Sequence, residues 1–462
     1  MIQAVLKSLL QHSDLSSDLA DTIRYSGDDP VYQTPFRMAV AAGASLGAVG
    51  LMLADIRQHQ RGVRSTVEID ARVAAASMRS SRYILVDGKP GRNPPDSVTG
   101  PYPAADGRWN YFHCNFPHHQ AALLRVLGAP ADRAQVAAAT AKWNFIELET
   151  AVDVAGGCAP AIRTPEEWQA LPNTMAMATE PLVDIQKIGD SAPIPFPQGE
   201  RPLSGLRSLD LTRVLAGPTC GRLLGEYGAD VLKITCEKHP DSASNETDTA
   251  YGKRKAILDI RDKEGHAQFE ALLRECDVFC QAYRRDAMIG LGFSAEEVAK
   301  IRPGIIYTSL CAFGFTGPWR GRRGFDTVIQ SASGMVQLQG RPDAPQLTPV
   351  SALDYLSGYL MTYGTLIALK RRALVGGSYA VNVSLARVRE WLFGLGMVPQ
   401  DQVKAASADL SDSELNPMMT EIPSPIGRLK RFRPVIKFSD GAFSELLPWN
   451  TFNVPRATWN PR

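Results

Sequence analysis

From about residue 200 to 340 the chain alternates strand-length apolar runs with amphipathic stretches, and no other feature narrows the fold as much. Residues 206–211, 231–234, 256–260, 277–283 and 305–312 read as strands, with helices at 217–227, 263–275 and 294–300. The second helix puts Phe269, Leu272 and Leu273 on one side, as docking on a sheet requires. Ser294 with Glu297 three residues on is a capping-box start. Strands joined through helices run parallel, so the pattern predicts an α/β fold with a doubly wound, Rossmann-like parallel sheet domain.

The first two hundred residues differ in character. Residues 38–54 are an uncharged run of 17, rich in Ala, Gly and Ser, short of the ~20 apolar residues that span a bilayer. A tightly packed buried helix is expected there. Residues 88–106 are rich in Pro, Gly and Asp and read as loop; 107–112 reads as a strand, 120–127 as a helix, and 164–170 as a helix with Pro165 in its first turn. The proline-dense stretch 190–203 reads as a linker. The expected division is 1–200, holding a smaller α+β domain; 204–395, the sheet domain; and 396–462, a C-terminal tail. A repeat links the first two parts: Thr34-Pro35, Leu46, Gly50, Ala54, Arg57, Gly62 and Val67 recur 314 residues later as Thr348-Pro349, Leu360, Gly364, Ala368, Arg371, Gly376 and Val381. One residue of slip later Ala71-Arg72-Val73 recurs as Ala386-Arg387-Val388. A duplicated helix–turn unit is expected, in which Val40 is the counterpart of Asp354, so one copy alone has a carboxylate there.

Composition removes several function classes. Lys+Arg is 50 against Asp+Glu 48, so no global field invites nucleic acid or an acidic membrane. Seven cysteines imply no disulfide framework, and a neutral cytoplasmic enzyme is expected. Cys276 and Cys280, like His113, His118 and His119 near Cys114, lack metal-site spacing, so no metal is expected. The N-terminus lacks the pattern of a signal peptide, and residues 459–462 carry no targeting signal.

Residues 209–218 (Leu-Asp-Leu-Thr-Arg-Val-Leu-Ala-Gly-Pro) and 228–233 (Gly-Ala-Asp-Val-Leu-Lys) resemble the opening βαβ unit of the class III (CaiB/BaiF-type) CoA-transferases. Gly252-Lys253-Arg254 with Leu258-Asp259, Arg302-Pro303-Gly304, Gly314-Phe315-Thr316-Gly317-Pro318-Trp319 and Gly324-Phe325-Asp326 follow in the family's order across 204–395. Residues 102–109 and 165–168 resemble the family's smaller domain, but they precede the βαβ unit here, so the order is permuted. The resemblance implies transfer of CoA from an acyl-CoA to a small carboxylic acid, with no permanently bound cofactor. It also implies a homodimer, although the permuted order permits a monomer.

Within that resemblance Asp354, followed by Tyr355-Leu356-Ser357-Gly358, takes the place of the nucleophile. An Asp at a helix start is expected to stay ionised, and the free backbone N–H groups there to steady an oxyanion. Ala216, Gly217 and Pro218, at a strand-to-helix turn, are candidates to approach the nucleotide. Lys253, Arg254 and Arg284 are candidate phosphate ligands, Tyr283 a neighbour of the adenine, and Arg322 and Arg323 partners of a substrate carboxylate. Related racemases carry a His where Phe325 stands, and no histidine lies in 300–395, so transfer is favoured over epimerisation. The alternatives are an acyl-CoA racemase or isomerase, and a non-catalytic scaffold or partner subunit.

Overall fold

The computed structural model describes residues 1–91, 96–238, 241, 243–445 and 453–461. Its largest sheet has seven strands in the order Lys253–Ile257, Asp230–Thr235, Arg207–Leu211, Val278–Gln281, Ile306–Cys311, Ser378–Ser384 and Asp184–Gly189. All neighbours pair parallel except the last two. The chain leaves Arg207–Leu211 in one direction and returns to its other side at Val278–Gln281, a reversal of strand order that opens a crevice at the strands' carboxyl ends.

The smaller α+β part lies in the N-terminal half: a ribbon of Gly100–Pro103 and Trp109–Phe112 with helices such as Pro117–Leu127 and Phe145–Val154. The two halves share structure. Asp184–Gly189 lies before the proline-rich stretch and adds to the large sheet. The C-terminal strands Gly427–Phe432 and Ile436–Phe438 pair back onto Leu85–Val86 and Val67–Asp70.

Two strand expectations need correction. The strand expected at 256–260 runs Lys253–Ile257, because its two leading cations have carboxylate partners and need no apolar run. The expected loop 88–106 contains the strand Gly100–Pro103, whose prolines sit on a two-stranded ribbon where a missing N–H is tolerated. Residues 92–95 of that stretch lie outside the described residues.

The repeat is visible in three dimensions. Helices Met38–Arg61 and Ala352–Val375 have 24 residues each, pack against one another, and stop at Gly62 and Gly376. Residues Arg37 and Ser351, just ahead of them, share backbone angles of φ −78, ψ 70 and φ −81, ψ 67. Each helix leads to a strand, Val67–Asp70 or Ser378–Ser384, flanked by one parallel and one antiparallel neighbour. A Cβ on Gly50 would lie 2.7 Å from Val67, and one on Gly364 2.6 Å from Val381, so the same close contact holds helix to strand in both copies. By length and composition Met38–Arg61 would also cross a bilayer, and 89% of its apolar window is buried inside the protein.

Candidate active site

Asp354 stands in the first turn of Ala352–Val375, with 6% of its surface exposed. Ser351 makes no side-chain cap. Asp326, at the start of Asp326–Ala332, caps the helix from outside: its Oδ2 accepts from the N–H of Leu353 at 2.8 Å and of Asp354 at 3.1 Å. Gln330 donates to the other oxygen, and its own carbonyl accepts from Thr348 N–H at 2.9 Å.

This corrects the expectation of free N–H groups that keep Asp354 ionised and steady an oxyanion. Two of them are already engaged by Asp326. Burial first, then the charge of Asp326, pushes the Asp354 carboxyl well above the usual carboxylate range. Asp326 is also raised by burial, against the donated hydrogen bonds.

Asp354 opens into a cavity of about 340 Å3 at the carboxyl ends of the sheet. Of the candidates, Ala216, Tyr283, Arg284, Arg322 and Arg323 line it together with Asp354. Arg213, Arg261 and Arg320 complete six arginines, and among the described residues Asp354 is the one carboxylate in the lining. Val214, also in the wall, takes φ 71, a position rare for a β-branched residue; its N–H donates to Asp241 at 3.1 Å. Arg322 is less available than expected. It pairs with Asp153 at 3.2 Å and lies 4.3 Å over the Trp319 ring, which makes it wall rather than a free substrate ligand.

Lys253, Arg254, Gly217 and Pro218 lie elsewhere. Lys253 Nζ sits beneath the helix Ala216–Glu226, 2.7 Å from Asp210 Oδ2 and 2.8 Å from the Pro218 carbonyl, all fully buried. Arg254 makes a two-pronged pair with Asp230 at 2.8 Å. Both cations are already neutralised, which the sequence did not disclose because their partners stand 43 and 24 residues away. The four-residue spacing of Gly217, Gly221 and Gly225 has the same origin. Cβ atoms there would come within 2.5 Å of Thr212, Asp210 and the Gly252 carbonyl, so these glycines let the helix lie on the sheet.

The N-terminal half contributes Phe116, His118 and His119. His119 and its neighbour His113 are buried, which pulls both imidazoles down to about 3 and leaves them neutral. His113 stacks on Phe325 at 4.1 Å, and Phe116 lies 5.6 Å from the same ring. The spacing of these histidines gives no sign of this role: their approach to Phe325, about 200 residues further on, is set by the fold alone. Among the described residues no group of three or more His, Cys, Asp or Glu is placed to hold a metal ion.

A sheet with a strand-order reversal, a helix-start aspartate and an arginine-lined crevice define an α/β protein with a cationic cavity at the carboxyl ends of its strands. Residues 203–417 match the model of CoA-transferase family III, and the chain belongs to that superfamily. An acyl-CoA transferase from Gibberella moniliformis is 27% identical over 421 residues, covering 79% of this chain and 73% of that protein. The beta subunit of a succinyl-CoA–L-malate CoA-transferase from Chloroflexus aurantiacus is 33% identical over 40% of this chain, and a succinate–glutarate CoA-transferase from Agrobacterium fabrum 32% identical over 42%. This chain spans 49% and 53% of the length of those two relatives, about half.

Proposed function

We propose that the protein moves CoA from an acyl-CoA thioester to a small carboxylic acid, with Asp354 as covalent acceptor. The observation that carries this reading is a single carboxylate among six arginines at the carboxyl ends of a doubly wound sheet. The Asp354 carboxyl, held up by burial and by Asp326, first gives up its proton to solvent; the carboxylate then attacks the thioester carbonyl, forming a mixed anhydride and releasing the CoA thiolate. The thiolate attacks the aspartyl carbonyl, which frees the donor acid and leaves an aspartyl-CoA thioester. The acceptor carboxylate then attacks that thioester, displacing the thiolate again. Attack of the thiolate on the acceptor's carbonyl releases the new acyl-CoA and restores Asp354.

Arg213, Arg261, Arg284, Arg320 and Arg323 supply charge for the phosphates of CoA and for the acceptor acid. Tyr283, Arg261 and Ala287 also border a neighbouring pocket of about 70 Å3, walled by Leu211, Leu258 and Met288, whose apolar character suits an adenine. The names of the relatives favour transfer over the isomerase alternative. Residues of both halves line one cavity, which supports a chain that completes its own site as a monomer; light scattering at working concentration tests that.

Peptide mass spectrometry after exposure to an acyl-CoA panel, with hydroxylamine trapping, tests the chemistry. A modification mapped to Asp354 in the wild type and absent in Asp354→Ala is the expected result. CoA binding with no modification from any donor overturns the covalent reading.

A further inference from the structure

The clamp on the first turn of Ala352–Val375 has a counterpart in the other copy of the repeat. There Asp29 accepts from Ala39 N–H at 2.7 Å through Oδ1 and from Val40 N–H at 3.0 Å through Oδ2. Ala39 and Val40 are the positions that correspond to Leu353 and Asp354. The same two N–H groups of each buried helix are therefore held by an outside carboxylate, 11 residues upstream in one copy and 28 in the other. The clamp is common to both; the residue it holds is not. In the first copy it holds Val40, which has no charge to respond. In the second it holds Asp354.

We propose that Asp326 is a positioning residue for Asp354: it fixes the first turn of the helix through two N–H groups and, as a second carboxylate at that point, works together with burial against a charge on Asp354. This rests on Asp354 being the reacting group. The geometry gives Asp326 both tasks at once, because one of its two N–H partners belongs to Asp354 itself. The repulsion of Asp326 is the one charge effect that acts with burial to hold the Asp354 carboxyl up. Other groups bear on the pair. Arg82 acts to lower Asp326 against its burial, burial and then Asp326 raise the phenol of Tyr111, and Gln330 donates to Asp326. On the cavity side Arg213, Arg323 and the neutral His119 share the wall with Asp354. Asp29 stands beside Arg37 and Asp28, with no nucleophile.

Asp326→Asn keeps an oxygen to accept the two N–H bonds and removes the charge. Formation of the hydroxylamine-trapped adduct on Asp354, followed in single turnover across pH, is expected to retain its acidic limb in Asp29→Asn and to move that limb to lower pH in Asp326→Asn. An unmoved limb in Asp326→Asn overturns the proposal. Failure of the wild type to form any adduct overturns the covalent reading instead, and a second measurement then still decides the positioning role. Urea denaturation of the wild type, Asp326→Asn, Asp354→Asn and the double variant, repeated across pH, isolates the interaction of the two carboxylates. The two substitutions are expected to be non-additive, increasingly so as pH rises and both groups ionise, whereas Asp29→Asn and Asp354→Asn add. Additivity of the Asp326 and Asp354 substitutions at every pH overturns the inference whatever the activity shows.

Discussion

Lys253→Met separates a ligand of CoA from a strut inside the sheet. Lys253 and Asp210 are wholly buried and 2.7 Å apart, and burial draws the ammonium below its ordinary value while Asp210 holds it up. Among the described residues, methionine leaves the Asp210 carboxylate in the interior with the N–H of Thr212 at 3.0 Å and its hydroxyl at 2.5 Å as donors, and the buried Lys233 as the remaining nearby cation. Breaking such a pair costs about 3–5 kcal/mol, a large share of the roughly 5–15 kcal/mol that stabilises an ordinary domain. The double variant Asp210→Leu with Lys253→Met removes both charges and is expected to recover most of that loss. The assay is equilibrium urea denaturation beside displacement of a fluorescent CoA analogue from protein that is still folded. The expected outcome is a large fall in stability with CoA affinity unchanged, while Arg323→Gln, in the cavity wall, does the reverse. A Lys253→Met protein as stable as the wild type that has lost tenfold or more in CoA affinity refutes the reasoning.

Two further outcomes follow from other parts of the fold. A Cβ on Gly358 would lie 2.6 Å from the Ala216 carbonyl, so Gly358→Ala must push the helix of Asp354 off its neighbour; a loss of about 1–3 kcal/mol in urea titration, with slower turnover, is expected. Burial raises the Asp29 carboxyl to about 6, so its protonated form is favoured by folding. That stabilising contribution is complete below its unfolded value of about 4 and is lost as pH rises through 6. The stability curve of Asp29→Asn is expected to lack this decline between pH 4 and 6, and an identical curve refutes it.

The sheet was legible because its signal is local. Apolar runs such as that of Ile306–Cys311, buried along its whole length, mark a strand without knowledge of its neighbours. The duplicated helix was legible from spacing alone. What escaped was long-range pairing. Asp210 and Asp230 occupy Lys253 and Arg254, and Asp153 holds Arg322, so three cations that look free in a linear reading are engaged in space. Arg261 and Arg320 stand unmarked in the sequence, Arg213 stands inside the 209–218 motif with nothing to single it out, and all three line the cavity. Asp326 was noticed within a family motif, yet its function as a clamp depends on a fold that brings it to a helix 28 residues on.

A transferase of the proposed kind must also keep water away, because an acyl-aspartyl anhydride and an aspartyl thioester both hydrolyse, and each hydrolysis spends a thioester without product. Asp354 is 6% exposed, so the guard must be the wall that covers the cavity. Phe325 is the bulky part of that wall shared by both halves: its ring stacks on His113 at 4.1 Å, meets His119 at 5.6 Å, and lines the same cavity as Asp354. Because Phe325 is only half-buried, Phe325→Ala removes a cover without emptying the core. The expected effect is on partition: free CoA thiol released per product acyl-CoA formed rises several-fold, with adduct formation on Asp354 still measurable. Quantifying thiol and acyl-CoA in the same reaction reads the ratio directly. If the ratio stays at the wild-type value while turnover falls, Phe325 shapes binding and the exclusion of water lies with Leu310 and Leu385, the two leucines of the wall.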